Sequence, residues 1–298
     1  MILLTGATGV IGGELLPLLL ERGEAVRCLV REPRRLGAQR VNVQITLGDL
    51  GELSDPYLLR QSLRGVDTVI HLAATIRDQP PKRIEELNGL ATVRLLRAAE
   101  RSGVESFHFF SAIDAQAAQR TRFFRAKWLA ERAVLSSPLA STVFAPSIVY
   151  DHSDPWITLL RRFSFLPVLP VSGEGQARFQ PIWAADVARC VTGALKRERE
   201  VGDGTKRYEL AGPETLTYDQ MSDLVSRLAG RPRPLLHLPL PLVRAGLIAL
   251  RKLFGEAVFA TWEEAELMEV PMTTERGTAD AEALGIRPRR MADVLADQ

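Results

Sequence analysis

A short strand-like run, Ile2-Leu3-Leu4-Thr5, passes without interruption into Gly6-Ala7-Thr8-Gly9-Val10-Ile11-Gly12, and helical spacing follows at Leu15, Leu16, Leu18 and Leu19. A strand that turns on glycines straight into a helix leaves few folds open. Gly6 permits the tight turn, Gly9 lets backbone N–H groups approach a diphosphate, and Gly12 lets the helix pack close to the sheet. The anion then rests on the positive helix end, beside Thr8, Val10 and Ile11. Glycines are common in turns, but three of them between a first strand and its helix mark a dinucleotide site.

The rest of the first half repeats the same alternation. Strand-like runs fall at 2–5, 25–30, 43–47, 68–72, 106–110 and 141–144, and helical stretches at 10–22, 56–63, 84–102 and 124–135. With no hairpin signals between them, these runs predict α/β architecture: a doubly wound parallel sheet of Rossmann type with right-handed crossovers. After Val149 a polar turn, Asp151-His152-Ser153-Asp154-Pro155, and prolines at 167 and 170 lead the chain off the sheet. Strand-like pieces at 179–183 and 207–210, with a helical stretch at 185–196 between them, read as returns. Helices at 218–229, 242–253 and 261–269 then build a smaller, mainly helical lobe. The expected division is 1–150 plus about 177–215 for the nucleotide-binding domain, and about 151–176 plus 216–298 for the substrate or partner lobe.

A chain of 298 residues, 46% hydrophobic and 25% charged, has ample material for a buried core, which excludes disorder and a small disulfide scaffold. Its 38 basic and 36 acidic residues are scattered, which argues against nucleic-acid binding. Cys28 and Cys190 lie in apolar runs without metal-ligand spacing, so no metal site is expected and both thiols are read as reduced and buried. The opening from Met1 to Leu4 is too short for a signal peptide, and a cytoplasmic setting is expected. Leu235 to Phe254 is apolar but interrupted by Arg244, Arg251 and Lys252; it reads as an amphipathic helix packed on its own domain rather than a membrane span. Peripheral contact with a membrane or a protein complex stays open, as does oligomeric state.

Arg31 follows the second strand where an NAD enzyme usually carries Asp or Glu for the ribose hydroxyls. With Arg34 or Arg35 nearby, it offers a cationic fork to a 2′-phosphate, so NADP(H) is favoured over NAD(H). A solvated arginine cluster is the plainer alternative.

Several further segments carry a family resemblance: Thr5 to Gly12, Gly48-Asp49-Leu50, His71-Leu72-Ala73-Ala74, Leu87-Asn88-Gly89 with Thr92, and Pro146-Ser147-Ile148-Val149-Tyr150. Together they resemble the short-chain dehydrogenase/reductase superfamily in its extended and atypical branches. Gln180-Pro181-Ile182-Trp183 with Asp186-Val187-Ala188, and Tyr208 to Glu214, are similar to the group that contains the nucleotide-binding accessory subunit of respiratory complex I. The resemblance implies that Asp49 and the Leu50 backbone contact the adenine and that Ala73, Ala74, Pro146 and Ile148 line the cofactor. It implies that Asn88 bonds backbone within the central sheet. His71 is expected to be a buried, satisfied imidazole, and Asp186 a helix cap or structural acid.

The superfamily's chemistry needs a tyrosine four residues before a lysine, with a serine upstream. The hydroxyl exchanges a proton with the substrate while the lysine lowers its pKa and binds the nicotinamide ribose. Lys127 and Ser111 match that pattern, but the tyrosine position is Phe123, which has no proton to give. An i, i+4 spacing keeps Phe123 and Lys127 on one helix face. Lys127 would bind ribose, with pairing to Glu131 on a solvated face as the alternative. Asp114, Tyr150 and His152 are candidate substitute proton donors, and Trp156 and Trp183 candidate substrate contacts. Two functions follow. One is an NADP(H)-dependent oxidoreductase or epimerase-like enzyme acting on a small molecule; the other is a non-catalytic NADP(H)-binding accessory, assembly or redox-sensing protein. Nucleic-acid binding through Arg120, Arg122, Arg125 and Lys127 is a third and weaker reading.

Overall fold

The computed structural model describes residues 1–202, 204–254 and 261–297. Seven strands form the central sheet: β1 (Ile2–Thr5), β2 (Val26–Val30), β3 (Gln44–Leu47), β4 (Thr68–His71), β5 (Ser106–Phe110), β6 (Ala140–Pro146) and β7 (Lys206–Leu210). All pairings are parallel, in the order β7-β6-β5-β4-β1-β2-β3. β1 and β5 are buried along their whole length, as strands covered on both faces must be. The order reverses between β1 and β4, and register puts Thr5 beside His71 and His71 beside Phe109. Ligands bind outside the strand ends at such a reversal.

Helices cover both faces of the sheet. On one, Leu15, Leu16 and Leu19 of α1 (Val10–Glu21) pack with Val187, Val191 and Leu195 of α6 (Ala184–Val201). On the other lie α2 (Pro56–Leu63), α3 (Ala91–Arg101) and α4 (Arg122–Leu135), with Leu63, Leu95, Ala130 and Val134 in the cluster. A third cluster joins α5 (Pro155–Phe163), α7 (Tyr218–Leu228), α9 (Trp262–Leu267) and α11 (Met291–Ala296) through Ile157, Met221, Leu267 and Val294. Ala281 in α10 (Ala279–Ala283) and Leu284 return to the first cluster, against the face that α1 and α6 cover.

Three expectations need correction. The stretch 84–102 is not one regular helix, because a π-helical turn, Glu85–Leu90, precedes α3. That wide turn aims Asn88 at the loop after β4 rather than into the sheet. Asn88 accepts from Thr75 N at 3.0 Å and donates to Thr75 O and Ile84 O at 2.8 and 3.0 Å. The piece at 179–183 is two strands, Arg178–Phe179 paired with Leu216–Thr217 and Ile182–Trp183 paired with Val149–Tyr150. Pro181 lies between them and has no N–H to continue a ladder. Finally, Leu235–Leu238 is a strand beside Leu169–Ser172, and α8 (Leu240–Phe254) begins only after Pro239. This helix lies against α9 of the same lobe and leaves Leu242 and Ile248 exposed. Among the described residues no helix is long and apolar enough to cross a membrane.

Candidate functional site

The turn after β1 is built almost entirely from backbone. Gly9 N donates to Gly6 O at 3.0 Å, and the first bond of α1 runs from Gly13 N to Gly9 O at 2.8 Å. The N–H groups of Val10, Ile11 and Gly12 precede that bond. Gly9 caps the helix without a side-chain bond, and the first turn holds no acidic residue. Free donors at a helix start with no local carboxylate suit a diphosphate. Gly6 has a φ of +76°, and a Cβ there would come within 2.7 Å of Ala73 N; one on Gly12 would come within 2.1 Å of Gly6 O. Both obstacles are backbone, so no side-chain motion could relieve them. Thr8 is half-buried beside this turn.

Arg31 lies exposed just beyond β2 and donates to Gln79 Oε1 at 3.3 Å; Arg34 and Arg35 are also exposed. Asp49 and Glu52 cap one another, with Asp49 N donating to Glu52 Oε2 and Glu52 N to Asp49 Oδ1, both at 3.1 Å. The Asp49 carboxylate thus shapes the short turn that Leu50 opens. Ala73 N donates to Thr5 Oγ1 at 3.3 Å, and Ala74 is exposed next to it. Pro146 is buried at the end of β6, where its carbonyl accepts from Ile113 N at 3.2 Å. Half-buried Ile148 accepts from Ile182 N at 3.0 Å.

Ser111 stands one residue past β5. It is 5% exposed and its Oγ has no hydrogen-bond partner. Lys127, 3% exposed, donates from Nζ to Phe110 O at 2.6 Å, with the rings of Phe109 and Phe123 at 5.0 and 5.7 Å. Burial pushes this lysine down to about 7, against a smaller opposing pull from Glu131. The solvated Lys127–Glu131 pair is not formed, because Lys127 points inward and Glu131 binds Arg207 at 2.6 Å. His71 is fully buried between Thr5 Oγ1 and Thr92 Oγ1, at 2.7 and 3.0 Å. Burial, with Lys127 adding, lowers it to about 3, so it stays neutral and structural.

The remaining candidates sort themselves by their partners. Burial pushes the Tyr150 hydroxyl far above its usual range, and its oxygen has no hydrogen-bond partner. Asp114 accepts from Gln116 Nε2 and Gln119 Nε2. His152 is half-buried, with Nδ1 unpartnered. Trp183 donates to Asp151 Oδ1 at 3.0 Å and carries Arg189 and Arg289 over its ring, which makes it a packing residue. Trp156 stacks on Tyr218 with centroids 6.3 Å apart. Asp186 accepts from Arg289 N and from Arg189, both at 2.9 Å, as a structural acid. In the arginine cluster Arg122 binds Asp78 and Glu85, and Arg125 binds the carbonyls of Gln119 and Arg120. Cys28 and Cys190 are free and buried, with both thiols raised to about 12 by burial. Among the described residues no group of three or more His, Cys, Asp or Glu could hold a metal.

Sequence reasoning missed the crevice beside Phe123. It is a small, open cleft of about 10 Å³, room for about one water, and brings Ile76, Ile84 and Phe123 together with Trp262, Glu263 and Leu267 of α9. A signal was available at the helix start: Glu264 Oε2 accepts from Thr261 N at 3.0 Å, half of a capping box spelled Thr261-x-x-Glu264. It marks where α9 begins but not which way the helix faces.

The signature of a family described as NAD(P)H-binding matches residues 6–198. Among curated relatives, subunit 9 of the NADH dehydrogenase (ubiquinone) 1 alpha subcomplex of Arabidopsis thaliana mitochondria is 27% identical over 259 residues. The match covers 80% of this chain and 60% of that protein, so the chain spans less than two thirds of this relative. The NAD(P)H azoreductase of Xenophilus azovorans is 28% identical over 236 residues, covering 78% and 75%. A nucleoside-diphosphate-sugar epimerase from Staphylococcus aureus shares the fold at a TM-score of 0.76 and 18% identity, over 99% of both chains.

Proposed function

This chain belongs to the NAD(P)H-binding family, as an atypical short-chain dehydrogenase/reductase, and on that premise we propose that it is an NADP(H)-dependent reductase of a small carbonyl or enone compound. The observation that carries the reading is Lys127. A lysine sealed from water with only a carbonyl for partner costs several kcal/mol of desolvation, and packing alone gives no reason to keep it. Lowered to about 7, it has both protonation states available at neutral pH, as a group that moves protons needs.

In this reading the turn from Gly6 to Gly12 holds the diphosphate, Asp49 and Leu50 border the adenine, and Ala73, Ala74, Pro146 and Ile148 line the nicotinamide half. The bound coenzyme supplies the hydride. Ser111 Oγ, buried and unpartnered, hydrogen-bonds the substrate oxygen, and Lys127 provides the proton that the oxygen gains. The Phe123 ring keeps water from the lysine. Absorbance measurements of NADPH consumption across aldehydes, ketones, enones and quinones test the idea. Tight coenzyme binding with no consumption by any of them would overturn it.

Arg31 carries the preference for NADP(H). Arg31→Ala is expected to weaken NADPH binding about tenfold and leave NADH nearly unchanged, by loss of a charge-assisted phosphate contact. Calorimetry with both coenzymes checks this, and equal losses for the two would remove the assignment. The two free, buried thiols support a cytoplasmic setting.

A second reading is favoured by one residue. Phe123 keeps the shape of the family's tyrosine without its proton, as a coenzyme-binding protein that performs no chemistry would. Such a protein would serve as an accessory, assembly or redox-sensing factor, through contact with a protein complex or a membrane surface.

A further inference from the structure

Two segments past the middle of the chain share an absence of acid. Residues 155–173 and 224–255 carry eight arginines and lysines but neither Asp nor Glu, where an even spread of the chain's 36 acidic residues would place about six. The fold brings these distant segments together. Leu169–Ser172 pairs with Leu235–Leu238, which sets Pro170 beside Leu236. Arg233 donates from Nε to Ser164 O at 2.9 Å, and the Arg231 guanidinium lies over the Phe165 ring at 3.9 Å. Arg162 stands one turn before Phe165, whose N–H donates to its carbonyl at 3.2 Å. α8 follows the second strand at once, with Leu242 N donating to Pro239 O at 2.9 Å. Two acids of α7 that touch these segments are already paired: Asp219 with His237 at 2.9 Å and Asp223 with Arg227 at 2.7 Å. Arg244 lies over the Trp262 ring at 4.4 Å and takes no part.

Large apolar side chains stand out of the same corner. Phe165 is 67% exposed and Leu242 62%, with Leu166 and Leu236 at 45% each. Arg162 and Arg231 are exposed among them, and neither is ion-paired among the described residues. Nucleic acid would draw on the cations and leave the phenylalanine and leucines in water. A bilayer surface takes both, because apolar side chains enter the boundary between headgroups and chains while arginine meets headgroup phosphate. We propose that the corner formed by the end of α5, Leu235–Leu238 and the start of α8 docks on an anionic bilayer surface, with Phe165 and Leu242 entering the lipid and Arg162 and Arg231 on its phosphates. The chain docks without spanning, since among the described residues no helix is long and apolar enough to cross. This surface is separate from the coenzyme turn, and the inference does not rest on the reductase reading.

The test sediments the whole chain, with NADPH present, on vesicles of phosphatidylcholine alone and of phosphatidylcholine mixed with an equal share of phosphatidylglycerol. The mixed vesicles are expected to retain it at least about tenfold more strongly, and added salt to weaken that retention. Arg162→Glu combined with Arg231→Glu should lower the affinity for mixed vesicles at least about tenfold. Phe165→Ser combined with Leu242→Ser should lower it by about as much, through loss of the inserted apolar surface. No retention by mixed vesicles, equal retention by both kinds, or unchanged retention in either double variant overturns the proposal. Retention of RNA or of an acidic protein with none on vesicles overturns it as well. NADPH binding is read by calorimetry on the same samples, so failure on vesicles leaves the coenzyme site standing, and failure to bind NADPH leaves the vesicle result intact. If either double variant fails to fold, the contrast between the two vesicle types on the unaltered protein still decides.

Discussion

Lys127→Met is expected to leave the chain folded and to cut NADPH-dependent turnover about a thousandfold, within the range that one positioned proton donor contributes. Methionine fills nearly the same space between the rings of Phe109 and Phe123, but it cannot donate to Phe110 O or carry a proton. The same substitution should change the response of stability to pH. Lysine in the unfolded chain titrates near 10.4, whereas burial lowers Lys127 to about 7. Between those values the unfolded state holds a proton that the native state has shed, so native stability rises with pH across that window. The full penalty, about 5 kcal/mol, is present below pH 7 and disappears as the pH approaches the unfolded value. Urea unfolding of the coenzyme-free protein at neutral and alkaline pH should show this rise in the parent and not in Lys127→Met. Equal pH dependence in both, or turnover within tenfold of the parent, would remove Lys127 from the chemistry.

Phe123→Tyr is expected to raise turnover about a hundredfold, the lower end of the gain from a well-placed acid. Phe123 and Lys127 share one face of α4, and the lysine Nζ already lies 5.7 Å from the ring centroid. A hydroxyl on that ring would face the crevice, where the nearby lysine favours its ionised form. The pH–rate profile should then acquire the pKa of the new phenol in place of the single limb set by Lys127. A parent and a variant that are both inactive toward every substrate, while both bind NADPH tightly, would settle the choice in favour of the non-catalytic protein.

What could be read from the sequence divides along a physical line. The first strand, its glycine turn and α1 were legible because each is dictated locally: apolar residues, then backbone freedom, then leucines at helical spacing. Ser106–Phe110 and Pro56–Leu63 were read at their observed limits for the same reason. The resemblance supplied Ser111 and Lys127, but not that Lys127 is buried against Phe110 O, since burial is a property of the assembled sheet. Leu235–Leu238 looked like helix because three leucines around His237 carry no decisive period of their own; only Leu169–Ser172, far away in the chain, makes them a strand. Glu263 was invisible for a related reason. A glutamate in an acidic helical turn reads as solvated, and its place against Phe123 depends on how the last third of the chain folds back.

The close fit of Gly6, Gly12 and Ala73 has one more consequence. With main chain pressed against main chain, the turn after β1 and the loop after β4 cannot separate like jaws without breaking the central strand pairing of β1 with β4. The coenzyme therefore meets a seat already in its final shape, which lowers the ordering cost of binding.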